Sequence, residues 1–141
     1  MEILLSELIC NKGLPDIRLN GISADSRKIK KGYLFVSLSG GKYEGNDFIT
    51  DALSKGAAAV ITDKPPKKNN VKDLPIFCLA NLRQDLGEYA SRFFGFPSKN
   101  MQIIALTGTN GKTSVTHFLA QAMQERRFSS GLIGSLGYGE P

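Results

Sequence analysis

The residues best placed to do chemistry form the run Gly108-Thr109-Asn110-Gly111-Lys112-Thr113-Ser114. Its glycines let the backbone approach an anion closely, and the N–H groups at the start of a following helix can donate to phosphate oxygens. Lys112 would place a positive charge at the β and γ phosphates, and the Thr113 hydroxyl can ligate a bridging Mg²⁺. The run therefore predicts a site for the phosphates of a nucleoside triphosphate, with Lys112 as its cation.

This run is shorter than the usual phosphate loop. The pattern G-x-x-x-x-G-K-[ST] requires glycine at position 106, where the chain has Leu106, so the motif begins at Gly108 as G-x-x-G-K-[ST]. The alternative is a glycine turn before a helix that happens to contain Lys-Thr. The flanking pattern favours the phosphate loop, because it predicts a strand over 102–106 and a helix from Lys112 to about Arg127.

The elements that must position this loop alternate between strands and helices, which is typical of an α/β protein. Helices are predicted over 3–9, 47–55 and 81–94, and strands over 33–38, 57–62, 75–79 and 131–135. Asn46 or Asp47 is expected to cap the second helix, and Gly56 to stop it. Gly95-Phe96-Pro97-Ser98 breaks the pattern, so we expect one domain over 1–97 and the beginning of another over 98–141. A single strand–loop–helix–strand unit leaves sheet edges uncovered, so the second domain is expected to be cut short.

Charge and composition exclude several functions. The net charge is +5, and much of the excess lies in the clusters 27–31 and 64–68. Nucleic-acid binding is disfavoured, because no aromatic residue interleaves with these lysines and no recognition helix follows them. The apolar runs are too short to span a bilayer and no signal peptide is visible, so a cytoplasmic protein without membrane insertion is expected.

Four single residues are expected to be structural. Cys10 and Cys78 lack the CxxC spacing of a metal or redox pair, so small buried thiols are predicted. His117 lies one turn into the predicted loop helix, where a surface or packing role is favoured. Arg83 begins the helix 81–94 and is expected to form an ion pair or a cap.

The loop and its neighbours also resemble a known family. Residues 106–114 resemble the ATP loop of the Mur ligases, although folylpolyglutamate synthases carry a similar loop. Four stretches are similar to the N-terminal domain that the MurE and MurF branches share; they are 25–27, 32–36, 46–49 and 56–60. Three further stretches resemble the MurE branch, and the first two of them distinguish it from MurF; they are 81–83, 92–98 and 133–137.

The resemblance implies a fold and an activity. It implies a small N-terminal α/β uridine-binding domain, followed by the start of a P-loop-type central ATPase domain. The implied enzyme is a monomeric, ATP- and Mg²⁺-dependent ligase that adds meso-diaminopimelate or L-lysine to UDP-N-acetylmuramoyl-L-alanyl-D-glutamate during peptidoglycan synthesis. The implied UDP-substrate contacts are Ala24, Ser26, Gly41, Lys42 and Tyr43, although a turn-forming role for Ser26 stays open. A MurF-like ligase remains an alternative, as does a non-catalytic nucleotide-binding module if 141 residues is the natural length.

Overall fold

The computed structural model describes residues 2–40, 45–66 and 75–140. They form two compact units, Met1–Met101 and Gln102–Pro141. The predicted contacts Gly41, Lys42 and Tyr43 lie outside the described residues, as does the end of the second basic cluster. No helix in the described part of the chain is both long enough and apolar enough to cross a membrane.

The first unit is built on a parallel sheet. The strands of this unit are β1 (Ile3–Leu4), β2 (Arg18–Leu19), β3 (Gly21–Ser23), β4 (Tyr33–Ser37), β5 (Ala59–Thr62) and β6 (Ile76–Cys78). Its α-helices are α1 (Leu5–Ile9), α2 (Ile49–Ser54) and α3 (Leu82–Phe93), with 3₁₀ turns at Ser26–Lys28, Gly45–Phe48 and Pro97–Asn100. Strands β3 to β6 pair in chain order, all parallel, while β1 and β2 form a separate antiparallel pair.

Both faces of the central strands are covered. In β4, Leu34 and Val36 pack with α1 and α3, whereas Phe35 packs with α2. In β5, Ile61 packs on the side of α1 and α3, and Val60 packs on the side of α2. Side chains alternate across a strand, so a strand buried on both faces is apolar at every position. This is why the sequence shows continuous apolar runs here, and the predicted α/β class is confirmed.

Several element boundaries differ from prediction. The predicted strands 33–38, 57–62 and 75–79 and the helix 81–94 are confirmed with slightly shorter bounds. The helix predicted over 3–9 is wrong at its start, because Ile3 and Leu4 pair with Leu19 and Arg18 as a strand. Such a two-residue pairing depends on a distant partner and leaves no periodic signal in the sequence.

The predicted helix cap and the predicted buried thiols are also wrong. α2 begins after Phe48 without a side-chain cap, because a 3₁₀ turn precedes it and Asn46 bonds to strand ends instead. Cys10 and Cys78 are both exposed. Cys10 follows the last residue of α1 in a left-handed conformation, and Cys78 ends β6, so neither lies where the core closes around it.

The second unit contains α4 (Lys112–Glu125) and a hairpin of β7 (Leu132–Gly134) and β8 (Gly137–Gly139). The predicted helix from Lys112 and the strand within 131–135 are confirmed, and β8 was not predicted. The strand predicted over 102–106 is wrong, because this segment has no regular structure and Ile103 is 70% exposed. A strand requires a pairing partner, and no described residue supplies one to this segment.

Candidate functional site

The carboxyl ends of the parallel strands form one edge of the first unit. β3 ends at Ser23, β4 at Ser37 and β5 at Thr62, and these strands run parallel as neighbours. In open parallel sheets, ligands bind outside this edge. Ala24 and Ser26 follow β3 directly, so the structure places these two predicted contacts at the edge where a ligand is expected.

The two contacts offer different groups. Ala24 is exposed, whereas Ser26 is only 6% exposed. The Ser26 carbonyl accepts from Lys55 Nζ at 3.1 Å, and the same ammonium donates to Asp51 Oδ2 at 2.7 Å. The Lys55 ammonium, followed by the Ser26 hydroxyl, lowers the pKa of Asp51. The Ser26 backbone is therefore held by Lys55 at the end of α2, and a contact of the Ser26 hydroxyl with a ligand stays a prediction.

Asp25, and not Ser26, caps the turn after β3. Its carboxylate accepts from the Arg27 backbone N–H at 3.0 Å and from the guanidinium Nε and Nη2 at 2.9 and 2.8 Å. The Arg27 side-chain hydrogen bond is the main cause that lowers the pKa of Asp25 to about 2. Within the Asp-Ser-Arg motif, Asp25 and Arg27 thus form a bidentate ion pair, which stabilises the turn beside Ala24.

A second network lies where β4 and β5 end. The Ser39 N–H lies 2.9 and 3.0 Å from the two Asp63 carboxylate oxygens, and the Ser39 hydroxyl donates to Asp63 Oδ1 at 2.8 Å. Burial raises the pKa of Asp63, but the hydrogen bonds from Ser39 outweigh it and hold the pKa below its ordinary value. Arg83 donates from Nη2 to the Ser39 carbonyl, which is a contact with the segment after β4 and not a cap on its own helix.

Asn46 ties the same strand ends together. Ser37 Oγ donates to Asn46 Oδ1 at 3.2 Å, Thr62 Oγ1 lies 3.0 Å from the same oxygen, and Asn46 Nδ2 donates to the Pro65 carbonyl at 3.2 Å. Ser37 and Thr62 are almost fully buried. The sequence did not predict that Asn46 and Asp63 would join the strand ends. For Asp63 a signal was present, because this residue directly follows a predicted strand, where ligand-binding edges of parallel sheets lie.

The phosphate-loop residues of the second unit form an exposed turn before α4. Gly111 has φ +77°, a left-handed conformation that glycine adopts without strain, and α4 begins at the next residue. Lys112 Nζ donates to the carbonyl oxygens of Gly108 and Thr109, at 3.3 Å for the latter. Thr109, Asn110 and Ser114 are exposed, so the structure keeps the whole predicted set together on one accessible segment.

An open cleft of about 200 Å³ lies beside this loop. From α4 it is lined by Lys112, Thr113, Thr116 and His117, and from the hairpin by residues 132–136. His117 is half-buried and lines the cleft. It therefore lies beside the candidate site and is not simply an exposed surface residue. Thr116 was not predicted here; its hydroxyl donates to the Lys112 carbonyl at 2.8 Å and supports the first turn of the helix.

Thr113 is the predicted Mg²⁺ ligand of this loop. The described residues contain no group of three or more His, Cys, Asp or Glu side chains that can hold a metal ion. Mg²⁺ usually keeps several waters and takes most other ligands from substrate phosphates. The single hydroxyl of Thr113 at the helix start is compatible with that kind of site.

Comparison with known proteins links both units to one family. A model of the Mur ligase family, described as its catalytic domain, matches residues 18–94, which is more than half of the chain. A protein of Coxiella burnetii named UDP-N-acetylmuramoyl-L-alanyl-D-glutamate–2,6-diaminopimelate ligase is 43% identical over 92% of this chain and 27% of its own length. Curated relatives at this level are thus ligases by name.

Solved structures agree with this assignment. A ligase structure of the same name has a TM-score of 0.73 at 25% identity and covers 99% of this chain and 29% of its own. A MurF ligase from Thermotoga maritima in complex with ADP has a TM-score of 0.57 at 25% identity, over 74% of this chain and 23% of its own. The chain therefore spans about a quarter of the length of the proteins it matches. By the family match, supported by these likenesses, this chain is a member of the Mur ligase family.

Proposed function

We propose that this chain supplies the UDP-binding and ATP-binding segments of a MurE-type ligase. The proposed reaction joins 2,6-diaminopimelate to UDP-N-acetylmuramoyl-L-alanyl-D-glutamate at the expense of ATP. The observation that carries the proposal is the 43% identity, over 92% of the chain, to a relative with that name. Because the chain spans about a quarter of such relatives, the full reaction is proposed for the complete protein that contains this sequence.

The first unit is proposed to bind the uridine diphosphate end of the substrate. The support is the ligand-binding edge of its parallel sheet, where the exposed backbone at Ala24 and the turn at Ser26 follow β3. Gly41, Lys42 and Tyr43 belong to the same proposal by position in the sequence. Lys42 would pair with the diphosphate as a point charge.

The second unit is proposed to bind ATP through Gly108 to Ser114. In the proposed reaction, the D-glutamyl carboxylate attacks the γ-phosphate to give an acyl phosphate and ADP, and the amine then displaces phosphate to form the amide. Lys112 would exchange its hydrogen bonds to the Gly108 and Thr109 carbonyls for contacts with the phosphates. There it would neutralise negative charge on the transferred phosphoryl group. Thr113 would hold Mg²⁺, which supplies further charge neutralisation at the phosphates. The proposed enzyme is a monomer of the cytoplasm, where ATP is available, and the proposal includes no nucleic-acid partner.

A MurF-like activity is the second candidate, and the fold likeness to the ADP-bound MurF structure is the observation in its favour. The complete protein can be assayed for ATP-dependent phosphate release with two substrate pairs. We expect release with UDP-muramoyl-dipeptide plus diaminopimelate, and none with UDP-muramoyl-tripeptide plus D-alanyl-D-alanine. The reverse result would establish the MurF-like reaction, and replacing diaminopimelate with L-lysine identifies the added amino acid.

The 141-residue chain provides a control in the same assay. We expect it to release no phosphate with either pair, because it spans about a quarter of the ligases it resembles. Phosphate release that requires both ATP and the dipeptide substrate would show that the catalytic groups lie within these residues.

A further inference from the structure

We propose that Asp63 and Arg83 are positioning residues for the UDP-linked substrate, because together they fix the peptide between Ser39 and Gly40 at the carboxyl end of β4. This inference rests on the proposed role of the first unit. We call Asp63, Ser39 and Arg83 the clasp. The ligand group it prepares for is a hydrogen-bond-accepting oxygen at the uridine diphosphate end of the substrate.

One half of the clasp holds the N–H side of Ser39. The Asp63 carboxylate directly follows β5 and receives both the backbone N–H and the hydroxyl of Ser39, at distances of 2.8 to 3.0 Å. Ser39 is 7% exposed. A carboxylate that accepts from both a backbone and a side-chain donor of one residue fixes its position and its orientation.

The other half holds the carbonyl side of Ser39. Arg83, from the first turn of α3, donates through Nη2 to the Ser39 carbonyl oxygen. No peptide bond in the described residues is cis, and in a planar trans peptide the carbonyl and the following N–H point in opposite directions. Pinning the Ser39 carbonyl towards Arg83 therefore turns the Gly40 N–H away from Arg83.

The clasp leaves the Gly40 N–H as an exposed backbone donor shortly after β4. The Ser39 N–H is used by Asp63, while Gly40 is exposed and its N–H has no hydrogen bond to any described residue. Gly40 has φ +121°, and a Cβ there would lie 3.3 Å from Arg83 Nη2. The position thus favours glycine on two grounds, backbone conformation and closeness to the guanidinium.

The convergence of three segments points to ligand positioning. A simple turn after β4 needs only local contacts, yet the Ser39 peptide is held by side chains 24 and 44 residues away. The result is an N–H of fixed direction at the edge where parallel sheets bind ligands. A donor that is oriented before binding loses less entropy when the substrate arrives.

The test uses Asp63→Asn and Arg83→Gln in the complete protein. We expect each to raise the KM for UDP-muramoyl-dipeptide about tenfold, because each removes one charge-assisted hydrogen bond to Ser39. The KM for ATP and kcat should stay unchanged. Arg83→Lys retains a cationic donor and should recover part of the loss.

Asp16→Asn is the matched control. Asp16 also accepts from a serine, Ser6 Oγ at 2.5 Å, but it lies in the connection between α1 and β2. It should leave both KM values unchanged, and thermal unfolding midpoints of all four variants separate folding loss from a binding effect.

Three results would overturn the inference. If the clasp variants raise both KM values alike, or leave the KM for the UDP substrate unchanged while the unaltered protein turns over, the clasp is structural only. If the unaltered protein fails to bind the UDP substrate at all, the proposed function of the first unit fails, and this inference fails with it.

Discussion

The two units differ in what holds their candidate sites in place. In the first unit, side chains at the ends of the buried strands are held by hydrogen bonds to distant residues. Ser37 and Thr62 both bond Asn46, and Ser39 bonds Asp63. In the second, the loop before α4 is exposed, and Lys112 bonds the loop's own carbonyls. The first site is therefore set by tertiary packing, and the second by local backbone geometry.

Burial shows the same difference. Among the described residues, Ala120 is the only buried hydrophobic residue of the second unit. Large apolar side chains of that unit are exposed instead, including Phe118 at 70% and Ile133 at 89%. Buried apolar area is the main stabilising contribution to a fold, so the first unit should be sensitive to core truncation and the second should not.

The largest expected effect is on catalysis in the second unit. Lys112→Ala in the complete protein should lower kcat about a thousandfold, because charge neutralisation at the transferred phosphoryl group is lost. The KM for the UDP substrate should not change, because the first unit is proposed to bind it independently. Steady-state kinetics measures both, and Lys99→Ala is the matched control for removing an exposed lysine. Equal loss of turnover and UDP-substrate binding would contradict the separation of roles.

A matched pair of leucines tests the difference in packing. Leu34 is fully buried in β4, and Leu136 is 79% exposed in the hairpin. Leu34→Ala should lower the free energy of unfolding by about 2 to 5 kcal/mol through lost burial and a cavity, and Leu136→Ala should change it by less than about 0.5 kcal/mol. The chain has no tryptophan, so urea unfolding is best followed by far-ultraviolet circular dichroism. Similar losses in both variants would refute the difference in packing.

The smallest expected effect concerns the exposed turn after β3. The pKa of Asp25 lies at about 2, mainly because of the Arg27 side-chain hydrogen bond. This is below the unfolded value of about 3.9, so the stability from the pair is fully present above about pH 4 and is lost as pH falls through the folded pKa. Carboxyl ¹³C NMR between pH 5 and 1.5 should show the low pKa. In Arg27→Gln the pKa should rise towards its ordinary value without reaching it, because the backbone N–H of residue 27 and the charge of Lys28 remain. An unchanged pKa would assign the shift to another cause.

Some of the first unit was predictable because its signals are local. The apolar run at 33–38 and the helical spacing over 81–94 predict β4 and α3 closely, since strands buried on both faces and amphipathic helices each leave a characteristic pattern. β2 and β3 were missed, because they are two and three residues long. Cys10 and Cys78 were predicted to be buried because cysteine is usually a buried residue type. Both are exposed, because each lies at the end of a helix or strand.

The sequence by itself determined the α/β class, the glycine-rich turn before α4 and the Asp-Ser-Arg turn, because each depends on contacts between near neighbours. Only the tertiary structure decided that Asp63 and Arg83 meet at Ser39, across 24 and 44 residues of chain. It also decided that residues 102–106, apolar enough for a buried strand, are exposed and have no strand partner in the part of the chain that the structure describes. The physical reason is the same in both cases. Pairing across the chain is fixed by which strands lie side by side and in what register, and local residue preferences carry no record of that choice.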